Sequence, residues 1–170
     1  MRFSVLASAV IALALSACGG GGSSPPTGEI TRNPIPGSDF PISQSVLVTA
    51  GSDLLFVSGA VPPAIVEGGS PMDITTYGDT ETQTVNVLTA ISGRLESAGY
   101  SLGDVVMMRA YLVADPMTDR MDFEGFMAGY TQFFGTDEQP NLPSRSAIEI
   151  AGLAAPGWLV EIEVVAAKAE

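Results

Sequence analysis

Val160-Glu161-Ile162-Glu163-Val164 alternates apolar and acidic residues with a period of two. Successive side chains of an extended strand point to opposite faces. Val160, Ile162 and Val164 therefore share one face, and Glu161 and Glu163 the other. One face must be covered while the other carries charge, which calls for a sheet packed in layers. Ser146 to Ile150 alternates in the same way, with Ala147 and Glu149 on one side and Ser146, Ile148 and Ile150 on the other.

The rest of the chain supplies partners for these strands. Val46–Val48 and Leu54–Val57 flank Ala50-Gly51-Ser52-Asp53, a turn sequence, and predict a hairpin. Residues 61–78 contain three prolines and two adjacent glycines and read as a long loop. Asp79 or Thr80 can cap a helix reaching Ala98, with Val85, Leu88, Ile91, Leu95 and Ala98 at helical spacing and Gly99 as its stop. Gly93 inside that helix would permit close packing on a sheet. Val105–Val113 reads as a buried strand. Asp119 or Asp122 can open a second helix, whose stripe of Phe123, Phe126, Met127, Tyr130, Phe133 and Phe134 reads as core. The order β-β-α-β-α-β-β, with right-handed crossovers, predicts an α/β or α+β layer with helices on one face of a mixed sheet.

Composition narrows the chemistry. The formal charge of −12 leaves no basic footprint for nucleic acid. The chain has no histidine, which excludes Ser-His-Asp and Cys-His catalysis and histidine metal ligation. Acid–base work falls to carboxylates, tyrosine, lysine, backbone or water. A length of 170 residues suits one domain.

The N-terminus has Arg2, a short apolar run from Val5 to Leu15, and then Leu15-Ser16-Ala17-Cys18. This reads as a secretory signal and resembles the lipobox of bacterial lipoproteins. The resemblance implies a signal peptide over residues 1–17, lipidation of Cys18, and attachment to the cell envelope through the lipid anchor alone. With Gly19 rather than aspartate next, it implies the outer membrane, facing the periplasm. Cys18 is the sole cysteine, so a disulfide within one chain is impossible. Residues 18–38 are rich in glycine, serine and proline and read as a tether, leaving 39–170 as the globular domain.

Arg145 is one of only seven basic residues, yet it stands at the head of an alternating strand. Its planar fork suits a carboxylate, which it can grip with two parallel bonds while staying charged. A structural ion network with Glu149, Glu161 or Glu163 is the other reading. Four segments then fall into one pattern: "LLFVSGAVPP", "QTVNVLTAISGRLESAGYSLGDVVMMRAYLVAD", "FMAGYTQFF" and "PSRSAIEIAGLAAPGWLVEIEVVA". Together, in this order, they resemble the RidA/YjgF family over about residues 43–167.

The resemblance implies an α+β, chorismate-mutase-like fold: a mixed sheet with two helices packed on one face. It also implies a homotrimer with a barrel-like core and active sites in clefts between subunits. The implied activity is that of a 2-iminobutanoate/2-iminopropanoate deaminase. It hydrolyses small carboxylate-bearing imines or enamines to 2-keto acids and ammonia without metal or organic cofactor. Arg145 falls on the arginine that binds the substrate carboxylate, and Glu161 on the acid that helps position water. Ser58 and Gly59 fall where backbone groups line the cleft. Departures are Ala60 in place of a frequent glutamine and Ala147 in place of a frequent cysteine. The aromatic cover is not clearly present, with Phe40 a few residues early. A non-catalytic, lipid-tethered binding or interaction module of the same fold is the alternative.

Overall fold

The computed structural model describes residues 27–169. The segment expected to be a signal peptide, residues 1–17, and Cys18 lie outside the described residues. Six strands form one sheet: β1 Ile30–Pro34, β2 Ser43–Val48, β3 Ser52–Ala60, β4 Val105–Val113, β5 Ser144–Ile150 and β6 Val160–Ala169. Two helices, α1 Thr80–Ser97 and α2 Phe123–Tyr130, cover one face. The strand order is β1-β2-β5-β4-β6-β3. β4 runs parallel to β5 and antiparallel to β6, so the sheet is mixed as expected.

Two expectations need correction. The segment read as tether ends early, because Ile30–Pro34 pairs antiparallel with β2. Arg32 fastens it by donating from Nη2 to the carbonyls of Gly103 (2.9 Å) and Val105 (3.1 Å). A short polar strand ending in proline carries no alternation signal, and an edge position tolerates the missing N–H of Pro34. The expected hairpin also fails. β2 pairs with β1 and β5, whereas β3 pairs with β6.

That topology forces curvature. In a flat sheet β2 and β3 would stand about 19 Å apart, at about 4.8 Å per strand. The connection from Val48 to Ser52 can span no more than roughly 14 Å. The sheet must curl so that its two ends approach, and they do: a side chain at Gly28 would collide with Ser52 and Gly51.

The helices begin and end on identifiable groups. Asp79 caps α1 by accepting from the Thr82 N–H at 2.9 Å, and Asp122, not Asp119, caps α2 through the Gly125 N–H at 2.9 Å. Gly99 adopts φ +80°, and Tyr100 N–H reaches back to the Leu95 carbonyl at 2.8 Å, closing α1 with a Schellman turn. The buried stripe of α1 is Gln83, Thr84, Val87, Leu88, Ile91 and Leu95. Ala98 is exposed, and Gly93 faces open space rather than the sheet. Close packing falls instead at Gly129 of α2, where a Cβ would press on Thr84 and the Glu81 carbonyl of α1. Phe126, Tyr130 and Phe134 join the core with Met108, Ala110, Leu112, Val160, Ile162 and Val164.

Candidate functional site

Strand register decides which side each candidate residue serves. Arg145 pairs with Met108 in the parallel β4–β5 ladder, so its side chain enters the helix-covered face. There it lies over three aromatic rings. The guanidinium carbon is 4.2 Å from the Tyr130 centroid, 5.0 Å from Phe126 and 5.6 Å from Phe40. Such stacking suits the weakly hydrated, planar guanidinium. Nη2 donates to the Met127 sulfur at 3.2 Å, a weak acceptor. Nη1 is buried with no hydrogen-bond partner.

The alternative reading, an ion network around Arg145, is not formed among the described residues. Among the described residues, ion pairs join Arg109 to Glu163 (2.6 Å) and Lys168 to Asp104 (3.7 Å). Glu163 also accepts from the Tyr111 hydroxyl at 3.2 Å, and Glu149 accepts from the Met121 N–H at 2.6 Å. Tyr130 supplies no anion, since burial pushes its phenol well above the ordinary range and its hydroxyl donates to the Pro41 carbonyl at 2.9 Å. Burial likewise lowers the Arg145 pKa, opposed only by Tyr130. The result is a half-buried cation with an unused donor and, among the described residues, no carboxylate paired with it.

Glu161 belongs to the other face. It pairs with Tyr111 in the β4–β6 ladder and projects on the helix-free side, half-buried. Its carboxylate rests directly on Gly59, where any Cβ would collide with Oε1. The ladder between β3 and β6 shifts register between Val57 and Ala60, which frees Ser58 and Gly59 from regular pairing. Arg94 of α1 holds this bulge, donating from Nη1 to the Ser58 carbonyl at 3.1 Å and to the Gly59 carbonyl at 3.4 Å. Ala60, the departure after "SG", is fully buried opposite Ile162 and serves the core. Gly59→Ala is expected to displace the Glu161 carboxylate while barely lowering stability, because that side chain has solvent to swing into. Thermal melting together with a turnover assay checks this.

Ser58, Gly59 and Glu161 are thus brought together, and Arg145 stands apart. Arg145 and Glu161 lie on opposite faces, two strands and three registers removed within one chain. Sequence reasoning missed the cage. The stripe of Phe126, Met127 and Tyr130 is core, as its spacing indicates, but it is also the platform beneath the guanidinium. Phe40, from the segment before β2, completes it. The signal was available as an arginine and an aromatic stripe, but their meeting needs the crossover from α2 into β5.

A curled mixed sheet with two helices on one face defines a protein of the YjgF/Rid fold. The family model described as Endoribonuclease L-PSP matches residues 38–168, and the chain belongs to this RidA/YjgF family. A RutC family protein of Saccharolobus solfataricus is 36% identical over 129 residues, 75% of this chain and 87% of the relative. One from Pyrococcus horikoshii is 34% identical over 128 residues, with the same coverage of 75% and 87%. The crystal structure of YyfB of Yersinia pestis, a Rid family protein of unknown function, aligns with a TM-score of 0.57 at 27% identity. It covers 76% of this chain and 88% of that one.

Proposed function

We propose that this protein hydrolyses carboxylate-bearing 2-imino acids, with Arg145 as the carboxylate anchor. The observation that carries the reading is the caged guanidinium, which among the described residues has no counterion and an unpartnered Nη1. A substrate carboxylate would supply both the missing charge and the missing acceptor. Water then adds to the imine carbon, the C–N bond breaks, and a protonated imino acid plus water becomes a 2-keto acid plus ammonium. Glu161 takes a proton from the attacking water and returns it to the departing nitrogen.

Because Arg145 and Glu161 face opposite sides of one sheet, the site is composite: Arg145 of one copy works with Glu161, Ser58 and Gly59 of the next. The helix-free face has the apolar surface for such an assembly, with Phe56 74%, Leu54 51% and Ile148 46% exposed. A homotrimer satisfies this arrangement. An RNA substrate, suggested by the family description, is disfavoured by the charge of −12.

The test generates 2-aminoacrylate in situ and follows semicarbazone formation. Arg145→Ala and Glu161→Gln chains are each expected to be inactive alone, and activity is expected to return when they are co-expressed, since mixed assemblies rebuild intact sites. Wild-type protein that never suppresses semicarbazone would sink the reaction, and absence of complementation would sink the composite site. If wild-type protein binds 2-keto acids in calorimetry without any turnover, the binding-module reading replaces the enzyme.

The same proposal places the protein in the cell envelope by lipidation of Cys18, on the strength of the Leu15-Ser16-Ala17-Cys18 sequence. Cys18→Ser is expected to shift it from the membrane fraction to the soluble fraction. Unchanged membrane association would exclude the lipid anchor.

A further inference from the structure

A cavity of about 570 Å³ borders Arg145 where the sheet splits. β2 and β5 pair only at Ser43 and Ser144, so the gap beyond them opens to residues of both faces. The walls include Ile35, Pro36, Ile42, Met107 and Met108, and the remaining lining is three serines and a glutamine. Arg145 is the only charged residue among them. Ile35 and Pro36 precede the residues that match the family model, which begin at 38. They are held in place by β1, which Arg32 ties to the start of β4.

We infer that this chain selects monocarboxylates with a bulky apolar side chain, and that Ile35 is a specificity-determining residue. The inference rests on Arg145 as carboxylate anchor. A ligand fixed there would direct its remainder into the adjoining cavity. The volume lies within the range of small-molecule sites, roughly 300–1,000 Å³, and exceeds what a methyl side chain can fill. Isoleucine and methionine walls reward branched aliphatic groups, and Met adapts to irregular shapes. A second carboxylate would enter a space whose walls are mostly apolar and offer no second cation to pair with it.

The test is calorimetry on the purified protein with pyruvate, 4-methyl-2-oxopentanoate and 2-oxoglutarate as stable product-like probes. The branched acid is expected to bind about 10-fold or more tighter than pyruvate, the scale of discrimination that apolar carbons give in a pocket. 2-Oxoglutarate is expected to bind weakest. Ile35→Ser is expected to weaken the branched acid selectively and leave pyruvate unchanged. Equal affinity for pyruvate and the branched acid, with both lost in Arg145→Met, would overturn the selectivity and preserve the anchor. Binding of all three acids that survives Arg145→Met, or no binding to the wild type, would overturn the anchor and the selectivity together.

Discussion

Arg145→Met is expected to lower kcat/KM for imine hydrolysis by about 10³-fold, or about 4 kcal/mol, while leaving the melting temperature unchanged or raised. The two halves of this prediction have one cause. In the proposed site the guanidinium would make charge-assisted bonds to a substrate carboxylate, each worth about 1.5–3 kcal/mol. In the free protein it has only aromatic rings and a thioether around it, with Nη1 unpartnered. Attraction to the rings offsets part of its dehydration, but no ion pair completes the compensation. Methionine keeps the apolar stem packing and removes the charge, the kind of exchange that is often neutral or stabilising. A structural arginine would behave in the opposite way, with activity kept and melting temperature lowered. Measuring both quantities on one preparation decides between the roles.

The largest effect on stability is expected at Gln83. It is fully buried on α1 and bonds three points of the chain. Nε2 donates to the Gly78 carbonyl at 2.9 Å and the Gly157 carbonyl at 3.1 Å, and Oε1 accepts from the Leu159 N–H at 2.7 Å. One amide thereby joins the end of the long loop, the entry to α1 and the approach to β6. Gln83→Leu keeps the size but strands buried backbone groups. The cost is about 3 kcal/mol, equivalent to a fall in melting temperature of roughly 10 °C. Thermal denaturation followed by circular dichroism checks it, and a fall of only a degree or two would mean that water takes over these bonds. Because Gln83 touches none of the candidate site residues, the folded fraction should retain turnover at low temperature.

Much of this was legible from residue order. Alternation in Val160–Val164 correctly assigned Glu161 and Glu163 to one face and the apolar residues to the other. Asp79, Gly99 and the spacing of Leu88, Ile91 and Leu95 bounded α1, because capping and helical period are local properties. Arg145 stood out because one of only seven basic residues heads an alternating strand, which needs a reason. The hairpin between β2 and β3 was wrong although its turn was real, since a turn fixes where the chain reverses but not which strand edge accepts it. β1 was invisible because its evidence is a partner strand and an arginine bond to residues more than 70 positions away.

The sequence alone determined a layered α/β or α+β class and the exclusion of histidine chemistry, while the pairing of Arg145 with Glu161 came from the resemblance to the RidA/YjgF family. The class and the exclusion depend on residue type and on periods of two or 3.6, which any short window contains. Tertiary structure decided what that pair can do. The parallel register of β5 on β4 turned Arg145 into the cage of Phe40, Phe126 and Tyr130, and the antiparallel register of β6 turned Glu161 onto Gly59 on the far face. A shift of one residue in either ladder would reverse the facing, because strand side chains alternate. That register is set by pairings distant in sequence, so only the folded sheet shows that Arg145 and Glu161 stand on opposite faces, and the proposed function then needs a second copy to reunite them.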